Sequence, residues 1–155
     1  MFPVYAVGLY LDETDVANSS EPILSSVAQG HVDARLQLQF YRNVDHSTMI
    51  EALRDSVAPR LATMADDELT ELTVALEDIS NGGAFAAGSE LTFDWDTRKS
   101  LLVMSKDKGL PTTITAARVA PALFQVYLDD KAVAPDAKKS FEANAKLWEA
   151  ERASK

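Results

Sequence analysis

The most constraining feature of this chain is a run of strict alternation, Arg35-Leu36-Gln37-Leu38-Gln39-Phe40-Tyr41-Arg42, with Leu36, Leu38 and Phe40 on one set of positions and polar groups on the other. Successive side chains of a strand point to opposite faces, so such a segment predicts a strand buried on one face only. The same alternation returns in Glu90-Leu91-Thr92-Phe93-Asp94-Trp95, and a polar turn over 96–100 leads into Leu101-Leu102-Val103-Met104. These two runs predict a β-hairpin. One-sided strands need a second layer over their apolar face, and the rest of the chain supplies helical patterns to build it.

The apolar segment Phe2 to Leu11 predicts a strand covered on both faces, with Gly8 marking a bulge or a close approach by a neighbour. Met1 to Leu11 has no basic leading segment and runs straight into Asp12-Glu13, so it reads as a strand and not as a signal peptide. Residues 12–20 read as a loop, and Pro22 to Ala28 as a short helix ending at Gly30. Met49, Ile50, Leu53, Val57 and Leu61 recur at helical spacing behind a Thr48 to Glu51 capping box, and Pro59 ends or kinks that helix. A further helix begins near Thr63, carries Leu69, Leu72, Leu76 and Ile79 on one stripe, and stops at Asn81-Gly82-Gly83. Residues 110–114 read as an edge segment after the turn at Asp107-Lys108-Gly109. Two last helices are predicted over 116–128 and 135–150. The expected fold is one α+β domain over residues 1–155, an antiparallel sheet with a helical layer, without internal repeats.

Charge and composition exclude several functions. With 24 acidic and 15 basic residues the net charge is −9, which opposes binding to nucleic acid and to anionic lipid. No apolar run approaches the ~20 residues of a membrane-spanning helix, so no membrane insertion is expected. The chain has no cysteine, which removes thiol chemistry and thiolate metal sites. His31 and His46 stand in separate loops without ligand spacing, so no metal is expected. Asp66, Asp67, Glu68 and Glu71 read as a solvated helix start that suits the positive end of the helix dipole. Gly82 and Gly83 follow a helix and cannot cradle a phosphate at a helix start; no G-x-S-x-G nucleophile elbow is present. No cofactor is implied, and the sequence leaves the compartment open.

Two segments narrow the reading. Val4-Tyr5-Ala6-Val7-Gly8-Leu9-Tyr10-Leu11, and the stretch from Ala122-Leu123-Phe124-Gln125-Val126-Tyr127-Leu128-Asp129-Asp130-Lys131 through Phe141, closely resemble the chalcone isomerase family, in particular its isomerase-like and fatty-acid-binding branches. The strands and helices between them agree in order. The sequence departs from the family at Asp129 and Ala132, where Gly and Pro are usual. The resemblance implies an open-faced β-sandwich, an antiparallel sheet under a helical layer, with the ligand in an apolar cleft between them. True chalcone isomerases use an Arg, a Thr, a Tyr, an Asn and a Ser or Thr to close an oxygen ring on an enone. By position the strand threonine falls on Tyr5, the helix tyrosine near Met49, the asparagine near Ser56, and the last hydroxyl residue near Ala117-Arg118. The family arginine belongs to a strand preceding the first one here, so the chain is expected to be short at its N-terminal end and to lack that charge.

Losing a donor of that kind costs a hundredfold or more in catalysis, on the order of magnitude known for oxyanion-stabilising groups. The resemblance therefore implies a non-catalytic binder of a fatty acid or similar amphipathic small molecule, with no catalytic residue assigned. The alternative is an intramolecular lyase of the chalcone-flavanone type. Tyr5, Val7, Met49, Leu53, Ser56 and Arg118 are the expected ligand-binding residues, with Leu9 and Val57 as further wall positions and Arg54 as a second carboxylate partner. Ordinary core is the competing reading for the apolar members. A short sheet would also leave the first strand as an open edge, suited to pairing in a homodimer, and a helical face could meet a partner enzyme.

Overall fold

The computed structural model describes residues 5–61 and 66–154. Among them five strands form one antiparallel sheet in sequence order: β1 (Tyr5–Leu11), β2 (Ala34–Phe40), β3 (Glu90–Asp96), β4 (Leu101–Lys106) and β5 (Thr112–Thr115). The helices are α1 (Glu13–Asn18), α2 (Ile23–Ala28), α3 (His46–Val57), α4 (Asp66–Ser80), α5 (Val119–Leu128) and α6 (Pro135–Ala153), with a 3-10 turn at Ala58–Arg60. The expected α+β architecture, an antiparallel sheet under a helical layer, is the one observed. None of the described helices is long and apolar enough to cross a membrane.

The alternation read from sequence sets the two faces of the sheet. Leu36, Leu38 and Phe40 of β2, Leu91, Phe93 and Trp95 of β3, and Leu102 and Met104 of β4 are all buried beneath the helices. Cross-strand partners such as Leu36 and Phe93, or Phe93 and Met104, carry this apolar row across the sheet. The opposite face is polar and open, with Arg35 pairing with Asp94 through two nitrogens at 2.5 and 3.1 Å. Helix α5 lies at the centre of the helical layer, against α2, α3, α4 and α6, and seven of its ten residues are buried.

Several local expectations change. Residues 12–20 are not all loop: Asp12 accepts the Asp15 backbone N–H at 2.9 Å and so caps a short helix, α1. Helix α3 starts at His46, ahead of the expected Thr48 box, with Asp45 at the cap position. Pro59 sits in the 3-10 turn that ends α3, while the start expected near Thr63 lies outside the described residues, as does the strand start at Phe2 to Val4. Helix α5 begins at Val119 rather than Ala116, because Glu68 of α4 accepts the backbone N–H groups of Arg118 and Val119 at 2.9 and 3.2 Å. Glu68 is thus a tertiary helix cap and not a solvated charge, and Glu149 of α6 does the same for α2 through the Ile23 N–H at 2.8 Å.

Gly8 and Gly30 separate two uses of glycine. The register of β1 on β2 runs unbroken from Tyr5 opposite Phe40 to Leu11 opposite Ala34, so Gly8 makes no bulge. It is instead covered by the Tyr10 ring, which would lie 3.0 Å from an added Cβ. Gly30 has φ +76°, and its Cβ would meet the Trp95 ring at 3.1 Å. Gly30→Ala is expected to cost about 1–2 kcal/mol from the left-handed backbone alone; urea denaturation should show the loss with an unchanged m-value.

Candidate functional site

Strand β1 turns Tyr5, Val7, Leu9 and Leu11 toward the helices, since each lies opposite a buried or core-facing residue of β2. All four remain half-buried, whereas Leu36, Leu38 and Phe40 beside them are fully covered. The helical layer therefore seals β2 to β4 and covers β1 incompletely. The result is an apolar row about 20 Å long at the strand rise of 3.3 Å per residue.

At one end of this row the Tyr5 hydroxyl lies 3.1 Å from that of Tyr127 on α5. The Tyr5 ring meets Phe40 and Tyr127 edge-on, with centroids 5.8 and 6.5 Å apart. Tyr127 is completely buried, and among the described residues its hydroxyl has no other hydrogen-bond partner. Two phenols share one hydrogen bond here, and its direction follows from burial. If Tyr5 donated, the Tyr127 proton would be left inside without an acceptor, at a cost of about 1–3 kcal/mol. Burial thus favours Tyr127 as donor and Tyr5 as acceptor, an arrangement in which the Tyr5 O–H can serve a further acceptor. Burial raises the pKa of Tyr5, partly offset by the bond from Tyr127; burial first, and then the neighbouring Tyr5, holds that of Tyr127 well above its ordinary value. Both stay neutral donors near pH 7.

The other end of the row opens into a groove of about 1070 Å³ bounded by β1, α1 and α6. Leu9, Leu11, Val16 and Trp148 supply its apolar surface, and Glu13, Glu151 and Arg152 stand among its polar groups. Arg152 holds the walls together by donating to the Val16 and Glu21 carbonyls at 3.3 and 2.8 Å. A smaller cavity of about 60 Å³ lies between β1, α2 and α6 and shares Leu9, Leu11 and Trp148 with the groove. Its remaining lining is Ile23, Leu24, Phe141, Asn144 and Ala145.

The expected site residues separate. Tyr5 and Val7 lie on the row, and Leu9 joins row and groove. Met49, Leu53 and Val57 are buried in the core cluster beneath α3. Ser56 is half-buried, with its carbonyl accepting from Arg60 at 2.7 Å, and Arg54 is exposed on α3. Arg118 sits exposed at the start of α5, nine residues and so about 13 Å along the helix from Tyr127. Trp148 reads from sequence as part of an aromatic core, and Tyr127 only as a position in the segment that resembles the family. Nothing local marks Tyr127 as the partner of Tyr5, which is 122 residues away in the chain. Among the described residues no group of three or more His, Cys, Asp or Glu could hold a metal ion.

Asp129, a departure from the family pattern, has a defined job. Its two oxygens accept from Arg60 Nε and Nη2 at 2.7 and 3.0 Å, and Arg60 also bonds the Ser56 and Lys131 carbonyls. This clasp ties the end of α3 to the end of α5, one residue after Leu128 and close behind Tyr127. The Arg60 hydrogen bond lowers the Asp129 pKa, with a further contribution from the Lys131 N–H. A depressed folded-state pKa gives stability that is present above the unfolded value and disappears as pH falls through the folded one. Asp129→Asn is expected to lower stability by about 1–2 kcal/mol at neutral pH. The gap to wild type should stay flat between about pH 5 and 8 and shrink below about pH 4, read by thermal melts across pH.

Comparison with known proteins agrees with this fold. A family model described as chalcone isomerase-like matches residues 1–141. No curated protein matches the sequence. The crystal structure of an Arabidopsis thaliana fatty-acid binding protein shares the fold with a TM-score of 0.79 at 18% sequence identity, over 94% of this chain and 80% of that one. With the match spanning 141 of the 155 residues, this chain belongs to the chalcone isomerase-like family.

Proposed function

We propose that the protein binds a fatty acid or a similar single-chain amphiphile along β1, with its polar head at the Tyr5 hydroxyl and its tail running toward the groove. The observation that carries this reading is the incompletely covered row Tyr5, Val7, Leu9, Leu11, which has the Tyr5 hydroxyl at one end and opens into the groove at the other. An apolar wall with a few placed polar groups is the usual form of a small-molecule site. Met49 and Leu53 belong to the buried core cluster rather than to this row. Ser56 and Arg118 have no part in this pose. The similar fold of the Arabidopsis thaliana fatty-acid binding protein supports the ligand class.

Trp148 and Trp95 make the test direct, because Trp148 is 42% exposed on the groove while Trp95 is 5% exposed in the core. Titration with laurate is expected to give a saturable blue shift of the Trp148 emission and matching one-to-one heat by calorimetry. The shift should vanish in Trp148→Phe while the calorimetric binding remains. Absence of saturable heat would refute the reading, and conversion of a chalcone to a flavanone above the spontaneous rate would replace it with ring closure, in which the same O–H polarises the enone carbonyl.

A further inference from the structure

We infer that the cavity beneath Trp148 sets the length of the acyl chain the protein accepts, with Trp148 and Ala145 as the residues that fix the limit. The inference rests on the proposed seat along β1. From Tyr5 to Leu9, the first residue shared by row, cavity and groove, is four strand steps, or about 13 Å. An extended dodecanoate held by its carboxylate at the Tyr5 hydroxyl covers about that span. Its terminal methyl then arrives where Leu9, Leu11 and Trp148 come together.

What lies beyond differs in kind from the row. The cavity of about 60 Å³ has room for a methylene group or two, with Ile23, Leu24 and Phe141 among its walls. The groove on the other side of Trp148 is wide and flanked by Glu13, Glu151 and Arg152, so carbons that enter it stay next to water and charge. Each methylene that moves from water to an apolar wall strengthens binding by about fourfold, and a methylene that remains wet contributes little. Affinity should therefore climb with chain length along the row and level off once the chain end passes Trp148.

Two side chains place that limit. Trp148 borders both cavity and groove, and Ala145, one turn earlier on α6 and 6% exposed, faces the cavity with only a methyl group. Removing the indole adds its volume to the cavity on the side lined by Leu9, Leu11, Ile23, Leu24 and Phe141, so that further carbons meet an apolar wall. Enlarging Ala145 fills the cavity.

The test is calorimetry with octanoate, decanoate, dodecanoate, tetradecanoate and hexadecanoate, each below its micelle-forming concentration, on wild type, Trp148→Ala and Ala145→Leu. In the wild type, affinity is expected to rise about fourfold per methylene to tetradecanoate, whose last two carbons fill the cavity, and then to change less than twofold on going to hexadecanoate. The break should move to a longer chain in Trp148→Ala and to a shorter one in Ala145→Leu, with octanoate affinity within twofold of wild type in both. Thermal melts check that each variant is folded, and Leu147→Ala, on the same helix but 67% exposed, serves as a control that should leave the break in place. An unmoved break in both Trp148→Ala and Ala145→Leu, with laurate still bound by the wild type, overturns the length limit and leaves the proposed function standing. Absence of binding by every acid overturns both.

Discussion

Phe124→Ala is expected to lower the free energy of unfolding by about 3–5 kcal/mol, the range for emptying a fully buried aromatic site. Phe124 is completely buried on α5, and its ring lies 5.1 Å from that of Trp95 on β3. It therefore joins the central helix to the middle strand of the sheet. The sheet and the four helices around α5 hold the surroundings in place, so the space left behind should relax only in part. Equilibrium urea denaturation would measure the loss, and near-ultraviolet circular dichroism should show the Trp95 signal weaken in the folded variant. A loss under about 1 kcal/mol would mean that the core around α5 collapses into the vacancy and that its packing is looser than the burial indicates.

The second large effect concerns the ligand. Tyr5→Phe is expected to weaken laurate binding ten- to a hundredfold, because it removes the O–H that reaches the carboxylate, and a hydrogen bond to a charged group contributes about 1.5–3 kcal/mol. Tyr127→Phe should weaken it less than fivefold, since Tyr5 then loses only the bond it accepts and keeps the proton it gives. The two hydroxyls are 3.1 Å apart, so this asymmetry tests the direction of the bond rather than mere proximity. Burial raises both phenol pKa values, so affinity should not change through tyrosine ionisation between about pH 6 and 9. Equal losses in the two variants, or no loss in Tyr5→Phe, would show that the head group sits elsewhere.

Much of this architecture is legible in the chain because it rests on local periodicity. Arg35 to Phe40 and Glu90 to Trp95 alternate so regularly that both the strands and their buried faces follow from residue type. The stops at Gly30 and at Asn81-Gly82 also follow, since positive φ at these positions suits glycine and asparagine. The short helix α1 was hidden because six polar-rich residues carry no apolar stripe; its start depends on one Asp12 carboxylate. The starts of α2 and α5 depend on carboxylates from other helices, Glu149 and Glu68, which no local pattern reveals.

The site residues divide in the same way. Tyr5, Val7 and Leu9 could be placed on one face of a strand from spacing alone, and the resemblance to the family pointed to that strand. Met49 and Leu53 satisfy the same helical spacing whether they line a cleft or fill a core, so sequence could not separate the two, and the structure buries them. Periodicity along the chain thus determined which segments are strands and helices, which faces are apolar, and that the sheet needs a helical cover. Tertiary structure alone decided where that cover falls short along β1, that Tyr127 meets Tyr5 hydroxyl to hydroxyl, and that Trp148 borders both cavity and groove. Those are contacts between residues far apart in sequence, and they depend on how whole elements pack, which no local pattern encodes.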